Sequence, residues 1–223
     1  MEFRNCEYQK KSIKNVNNSS ETNVFENCFL KESVVKKVSI NKVHILNCTA
    51  ENDAFSDGDI SYGEGIHDNH ITACSFMNLR IFNLEIMKNM LTNNTIDNAY
   101  FSHDDFCENV VTQMKAQNLI SSGVKINKCK INSLELSDFR LQYSDYDNNE
   151  YTNTTIRQGR FRDCKFMAER INDTAFISVM FKKCVFEGIN FLQASFEQCG
   201  FSECKFLNCE MTAEQRKIFG AEE

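Results

Sequence analysis

The stretch CVFEGINFLQASFEQCGFSECKFLNC (residues 184–209) has phenylalanine at every fifth position from Phe186 to Phe206. An α-helix repeats about every 3.6 residues and a β-strand every second residue, so neither explains this period. Of the 30 positions spaced by five between residues 66 and 211, 28 are large and apolar. The 42% hydrophobic composition would fill fewer than half of them by chance. A unit of five residues therefore organises the chain.

The position two residues before each apolar centre has its own character. Small or apolar side chains dominate there, and ten of the 11 cysteines occupy it, Cys107 being the exception. Cysteine in such a slot behaves as a compact hydrophobic residue, so we expect reduced thiols that line a core. A spacing of five is not the two to four residues that separate paired zinc ligands.

The N-terminal third keeps the period in other phases. These phases meet at NNSSET (residues 17–22) and SYGEG (residues 61–65), which are rich in turn residues and which we predict to be small outward loops. No stretch has linker composition, so we predict one repetitive domain over residues 1–211 and a short cap over residues 212–223. The N-terminal centres are Phe3, Tyr8 and Ile13 in one phase and Phe25, Leu30, Val35, Ile40, Ile45, Ala50, Phe55 and Ile60 in the next.

An apolar centre, a small residue two positions earlier and polar residues between them resemble the repeats of the pentapeptide-repeat proteins. The resemblance covers residues 3–211, although the usual Ala-(Asp/Asn)-Leu unit is here mostly Cys-x-Phe or x-x-Ile. Membership of this family would imply an all-β fold, a right-handed quadrilateral β-helix with four pentapeptides in each square coil.

Elementary geometry agrees with that fold. Five residues can form one short side and a corner, with two side chains inward and three outward, and four such sides close one coil. Coils that pair at the ~4.8 Å strand spacing would give about ten coils and a rod of roughly 50 Å. Each coil would bury its centres only against its neighbours.

A coil of four pentapeptides predicts columns of side chains. We expect two inward stacks and one outward ladder of hydrogen-bonded polar side chains. The inward stacks are Cys164, Cys184 and Cys204, and Phe166, Phe186 and Phe206; the outward ladder is Asn78, Asn98, Asn118, Asp138, Gln158, Ser178 and Gln198.

The two ends of the rod differ. At the C-terminus, Thr212 and Gln215 fit a capping box that opens a short helix, and we expect Ile218 and Phe219 to cover the last coil. At the other end Phe3 is already in phase. That end is either covered by a partner, for example in a homodimer, or continues into a longer protein.

Few side chains in the sequence suggest a catalytic or metal-binding site. In EGIHDNH, the side chains of Glu64, His67, Asp68 and His70 could ligate a metal, but the spacing is unspecific and a solvated loop is the preferred interpretation, so no metal or cofactor is predicted.

Asp104 and Glu169 occupy inward slots on different faces, about three coils apart, and each must find a donor or sit in a bulge. A phosphate loop and a nucleophile motif are both missing from the sequence, and a filled solenoid offers no cavity. We therefore expect a protein that is not an enzyme.

The distribution of surface charge indicates a candidate binding site more clearly than the histidines and the inward carboxylates do. Over residues 66–211, one of the four predicted faces has six basic and two acidic residues, a net charge of +4, whereas the other three sum to −7 from 16 acidic and nine basic residues. A chance cluster on a solvated face is the alternative interpretation. The candidate partner-binding residues are Arg80, Arg140, Arg160, Arg162, Lys182 and Lys183.

These observations leave several functions open. The preferred hypothesis is a rigid scaffold that binds another protein. The alternative, implied by the family resemblance, is a DNA mimic that inhibits or protects DNA gyrase and confers quinolone resistance, although this chain is less acidic than such proteins. The net charge of −6 argues against direct nucleic-acid binding, and no apolar run is long enough to span a membrane. The default location is the cytoplasm, and a secreted bacterial effector is left open.

Overall fold

The chain forms 36 strands and one helix in the residues that the computed structural model describes, which are 2–18, 22–46, 48–51, 53–56 and 58–221. The strands up to residue 67 are Glu2–Arg4, Glu7–Gln9, Ser12–Asn18, Asn23–Glu26, Phe29–Lys31, Val34–Leu46, Thr49–Glu51, Ala54–Ser56 and Asp59–His67. The later strands are His70–Thr72, Ser75–Met77, Arg80–Phe82, Glu85–Met87, Met90–Thr92, Thr95–Asp97, Tyr100–Ser102, Asp105–Cys107, Val110–Thr112, Lys115–Gln117, Ile120–Ser122, Lys125–Asn127, Lys130–Asn132, Glu135–Ser137, Arg140–Gln142, Asp145–Asp147, Glu150–Thr152, Thr155–Arg157, Arg160–Arg162, Lys165–Met167, Arg170–Asn172, Thr174–Ile177, Met180–Lys182, Val185–Glu187, Ala194–Glu197, Gly200–Ser202 and Lys205–Leu207. The helix is Ala213–Phe219.

The described strands pair in parallel and join one coil to the next, so they build four faces around a common core. The predicted quadrilateral β-helix is confirmed. Face 1 stacks Phe3, Phe25, Ile45, Ile66, Ile86, Phe106, Ile126, Tyr146, Phe166, Phe186 and Phe206. Face 2 stacks Tyr8, Leu30, Ala50, Ile71, Leu91, Val111, Ile131, Tyr151 and Ile171. Face 3 stacks Ile13, Val35, Phe55, Phe76, Ile96, Ala116, Leu136, Ile156, Phe176 and Phe196. Face 4 stacks Ile60, Ile81, Phe101, Ser121, Leu141, Phe161, Phe181 and Phe201.

The coil length changes where the sequence changes phase. Phe25 pairs with Ile45 across a regular coil, whereas the step from Phe3 to Phe25 is two residues longer and the step from Ile45 to Ile66 is one residue longer. Residues 61–65 lie within the strand Asp59–His67, whose pairing with Val34–Leu46 shifts register, so the extra residue is accommodated inside a strand where we predicted a loop. Of the other predicted loop, residues 19–21 lie outside the described residues.

Most corners use a residue in the left-handed conformation. Among the described residues, φ lies between 44° and 58° at 31 non-glycine positions, and 11 of these residues are asparagine, which tolerates that region better than most residues. Val, Ile and Thr are missing from these positions, as β-branching requires. Proline, whose φ is fixed near −65°, fits none of these corners, and it lacks the N–H that paired strands donate, so both features disfavour proline in this chain.

The predicted outward ladder is a column of such corners, and it is only partly hydrogen-bonded. Asn98 Nδ2 donates to Asn78 Oδ1 at 2.7 Å, and Ser178 Oγ donates to Gln198 Oε1 at 3.1 Å. Asn118 instead donates to Asp97 in the neighbouring column, at 2.8 Å. Conformational preference for the corner, more than a continuous ladder, explains why amides recur in this column.

The inward stacks form as predicted. The ring of Phe186 lies 5.0 Å from that of Phe166 and 4.9 Å from that of Phe206, with the planes nearly parallel. Cys164 and Cys184 are buried beside these rings, and all 11 cysteines are free thiols. Stacked rings and small thiols thus fill the square cross-section of the C-terminal half.

A polar column inside the solenoid was not predicted. Asn69, Asn89, Asn109 and Asn149 occupy inward slots and are at most 2% exposed. The amide of Asn69 donates to Asn89 Oδ1 at 2.9 Å, and that of Asn89 donates to Asn109 Oδ1 at 3.0 Å. These side chains also bind backbone groups, so burial costs little because each partner lies one coil away.

The C-terminal helix closes one end of the core. Thr212 Oγ1 accepts from the amide of Gln215 and the Gln215 side chain accepts from the amide of Thr212, which confirms the capping box. Gln215 Nε2 also donates to the carbonyls of Phe191 and Ala194, at 2.8 and 3.0 Å. Phe219 is 4% exposed and stacks 5.0 Å from the ring of Phe206. We also predicted that Ile218 would cover the last coil. The structure leaves it 38% exposed, so it covers the coil less than predicted.

Candidate functional site: the basic face

The histidine-rich segment does not assemble a metal site among the described residues. Asp68 is an exposed corner residue and His70 is exposed, whereas His67 is partly buried. The side chain of Glu64 lies outside the described residues. Within the described part of the chain, no three His, Cys, Asp or Glu side chains lie close enough to share an ion.

The two inward carboxylates that the sequence singled out, Asp104 and Glu169, serve the core separately. Asp104 accepts hydrogen bonds from the amides of Leu84 and Ser102, both at 2.9 Å, and burial raises its pKa to about 6. Glu169 accepts from Asn149 Nδ2 at 3.1 Å, its Oε2 is buried without a hydrogen bond, and burial raises its pKa to about 8. Asp104 belongs to face 1 and Glu169 to face 2, so the structure does not bring them together as a catalytic pair.

A shallow recess of about 160 Å³ lies at the corner between faces 1 and 2. It is lined by Lys128, Cys129, Lys130, Asn148, Glu150 and Arg170. Its only thiol, that of Cys129, is 3% exposed, and burial raises its pKa, so the thiol is protonated and a poor nucleophile at neutral pH. The recess has no arrangement that suggests catalysis.

The structure brings five of the six predicted basic residues together on face 4. Arg140 is the direct ladder neighbour of Arg160, and Arg162 is the direct neighbour of Lys182. Lys183 follows at the corner, where φ is 54°. Neighbouring coils place such pairs ~4.8 Å apart at the backbone.

Arg80 lies apart from the cluster. On its ladder Tyr100 and Ile120 separate it from Arg140, a distance of three rungs or roughly 14 Å. The sequence placed Arg80 on the same face, but counting the charges of a whole face ignored the two uncharged residues that separate it from Arg140.

The ion pairs of face 4 between described residues involve Arg162, Lys182 and Lys183 but neither Arg140 nor Arg160. Arg162 Nε lies 3.1 Å from Asp163 Oδ2, and the ammonium groups of Lys182 and Lys183 share the carboxylate of Glu203 at 3.9 and 3.8 Å. Neither Arg140 nor Arg160 forms an ion pair with a described residue, and both are exposed. Like charges directly opposite on neighbouring strands are unfavourable, so this pair does not stabilise the fold.

Exposed apolar side chains flank Arg140 and Arg160. A count of charges on the face did not reveal these apolar neighbours. Ile120, Arg140, Arg160 and Met180 follow one another on successive rungs. Ile120 and Met180 are each 46% exposed, and Tyr143 at the adjacent corner is 57% exposed. Reading outward positions one coil apart would have revealed the pattern. We call Ile120, Arg140, Arg160 and Met180 the outer column of face 4.

Comparison with solved structures supports the fold. The cyanobacterial pentapeptide-repeat protein HetL of Nostoc sp. strain PCC 7120, involved in regulation of heterocyst differentiation, aligns with a TM-score of 0.58 at 9% identity, over 92% of this chain and 86% of HetL. This chain has the pentapeptide-repeat fold. The family resemblance inferred from the five-residue period is thus confirmed at the level of fold.

Other similarities are more distant. Full-length QnrB1, a plasmid-mediated fluoroquinolone resistance protein, gives a TM-score of 0.35 at 9% identity, with 96% of this chain and 97% of that chain covered. The catalytic domain of Agl-KA gives 0.36 at 10% identity, with 93% and 58% covered. No protein-family model and no curated protein sequence matches the chain. In the described residues, no helix is both long enough and apolar enough to cross a membrane.

Proposed function

We propose that this protein is a non-catalytic, rigid scaffold whose face 4 binds an acidic partner protein. The observation that carries the proposal is the adjacency of Arg140 and Arg160, two exposed arginines on neighbouring rungs with no ion pair to any described residue. Such a pair costs folding free energy, and an external carboxylate would relieve the repulsion. Arginine is also suited to this role because its planar guanidinium binds carboxylates through two parallel hydrogen bonds.

The surroundings of the pair favour a protein over a nucleic acid. Ile120 and Met180 expose apolar surface beside the arginines, Tyr143 does so at the far corner of the same face, and Tyr, Met and Arg are enriched in the centres of protein interfaces. The chain carries a net charge of −6, which opposes binding to the phosphate backbone of DNA or RNA.

The fold supports a scaffold role through its rigidity. Arg140–Gln142 and Arg160–Arg162 are short strands held on both sides by ladder neighbours, and their centres Leu141 and Phe161 are buried. A surface fixed in this way loses little conformational entropy on binding.

The proposal is tested by charge reversal with a defined probe. Fluorescently labelled poly-L-glutamate is titrated with the wild-type protein and with the double variant Arg140→Glu, Arg160→Glu, and binding is followed by anisotropy at low and high salt. The matched control is Lys130→Glu, Arg170→Glu on face 2, which changes the net charge equally. We expect the face 4 variant to weaken binding at least tenfold and the control to change it less than about twofold.

Two outcomes would overturn the proposal. Equal weakening by both double variants would show that the probe responds to overall charge and not to face 4. Tighter binding of a double-stranded DNA probe than of the acidic polypeptide, lost in the face 4 variant, would assign the face to nucleic acid.

DNA gyrase as the partner is the alternative hypothesis. Its support is the acidic excess on faces 1 to 3, but two of the 16 acidic residues there, Asp104 and Glu169, are buried, which leaves 14 outward acidic residues against nine basic ones. A gyrase supercoiling assay with purified protein, with and without a quinolone, tests it. Inhibition of supercoiling or rescue from the drug at low micromolar protein supports the alternative, and no effect across the titration removes it.

A further inference from the structure

We propose that the partner presents an amphipathic acidic α-helix that lies along the solenoid axis on the outer column of face 4. The helix would carry an apolar residue, two acidic residues and a second apolar residue at positions i, i+3, i+7 and i+10. This inference rests on the proposed function and names the class of partner that the same face accepts.

The spacing of the outer column carries the proposal. From Ile120 through Arg140 and Arg160 to Met180 there are three rung steps, which is roughly 14 Å at the parallel-strand spacing. Ten residues of α-helix rise about 15 Å, and the single steps of three or four residues rise about 4.5–6 Å. One helix face therefore meets each rung in register.

An extended segment does not match the same column. Side chains on one face of a strand recur every second residue, about 6.6 Å apart, so four of them span roughly 20 Å. By the third step such a segment would be displaced by more than one rung. Its acidic residues and its apolar residues could not all meet their counterparts on face 4.

The chemistry of the column matches the helix position by position. The two exposed arginines would bind the two carboxylates, and the half-exposed side chains of Ile120 and Met180 would pack against the two apolar residues. Burial of these flanking groups would also exclude water from the ion pairs, which strengthens them. Arg162 and Lys182 lie two residues along the strands, roughly 7 Å to the side, and would face further acidic residues on the flank of the helix.

The test compares two labelled peptides of about 22 residues with identical composition, long enough to be helical in an alanine-rich background. One carries Leu, Glu, Glu and Leu at i, i+3, i+7 and i+10, and the other carries them at i, i+2, i+4 and i+6. Each is titrated with the full chain. We expect the helically spaced peptide to bind at least tenfold more tightly and to gain helical circular dichroism on binding.

Two pairs of variants separate this inference from the proposed function. Ile120→Ser, Met180→Ser should abolish the difference between the peptides and leave poly-L-glutamate binding unchanged. The matched control, Met90→Ser, Val110→Ser, alters an adjacent pair on face 2 that is 46% and 37% exposed and should change neither. Arg140→Glu, Arg160→Glu should weaken both peptides.

The outcomes are distinguishable. Equal binding of the two peptides, or an unchanged difference between them in the Ile120→Ser, Met180→Ser variant, overturns the helix proposal while the basic-face function stands. Binding of both peptides and of poly-L-glutamate that is insensitive to Arg140→Glu, Arg160→Glu overturns both.

Discussion

At the scale of single residues, the solenoid tolerates polar groups in its core when a partner lies one coil away. Asn89 and Asn109 meet this condition through amide-to-amide hydrogen bonds. Glu169 meets it on one side only, because Asn149 binds Oε1 and Oε2 has no hydrogen bond. Glu169, whose pKa is raised to about 8, is therefore the core carboxylate that should respond to pH above neutrality, whereas Asp104 has a pKa of about 6.

The stability of the protein should fall as pH rises through the range in which Glu169 titrates. Burial raises its folded-state pKa to about 8 from an ordinary value of 4.5, so between these values the folded state holds a proton that the unfolded state has lost. The free energy of unfolding should decrease by up to about 1.4 kcal/mol per pH unit in this window. Urea denaturation of wild type and Glu169→Gln between pH 5 and 9 checks this. The variant should show a smaller slope, and identical slopes would show that Glu169 does not titrate in this range.

At the scale of structural elements, a bulge and a helix depart from the regular repeat, and each has a structural role. The bulge in the strand Asp59–His67 takes up one extra residue, and the helix Ala213–Phe219 covers the last coil. Gly65 makes the bulge possible, since its φ is 111° and a Cβ there would lie 2.3 Å from the carbonyl oxygen of Glu85.

Gly65→Ala should destabilise the protein more than a left-handed conformation alone explains. Gly188 also has a positive φ, 66°, but a Cβ there would meet nothing within 4 Å, which makes Gly188→Ala the matched control. We expect roughly 1 kcal/mol for Gly188→Ala and at least twice that loss for Gly65→Ala, from thermal or urea unfolding. Equal losses would contradict the close approach of the backbone at this bulge.

Phe219→Ala should loosen the C-terminal coil. The ring contacts those of Phe191, Phe196, Phe201 and Phe206, and its removal should cost about 3–5 kcal/mol of unfolding free energy. Ile218→Ala, on the solvent side of the same helix, should cost little. Hydrogen exchange should show lost protection first in residues 191–211, and unchanged protection there would mean that the helix does not stabilise the coil.

At the scale of the whole molecule, the repeat converts sequence distance into position. Residues one coil apart become neighbours at ~4.8 Å, so four residues from four successive coils form one column on face 4. What the surface can bind therefore depends on which side chains occupy the same outward position in successive coils. A charge or an apolar group has a defined place along the rod.

The same relation explains which features of the structure could be predicted from the sequence and which could not. The period of five predicts the faces, the stacked rings and the shared column of Arg140 and Arg160, because these follow from arithmetic on residue numbers. The polar core column was missed because an inward asparagine looks unfavourable until its partner on the next coil is considered. The exposure of Ile218 depended on local orientation, which a period does not contain. The separation of Arg80 from Arg140 could have been read from Tyr100 and Ile120, which lie at the intervening one-coil steps.

The most direct measurement of the central claim is a map of the bound surface by arginine-specific labelling with phenylglyoxal and mass spectrometry. The helically spaced acidic peptide is added at saturating concentration to the full chain. We predict that Arg140 and Arg160 are protected several-fold, whereas Arg170 on face 2 reacts as in the free protein. Protection of Arg170, or unchanged labelling of Arg140 and Arg160 in the complex, would contradict the assignment of face 4 as the binding surface.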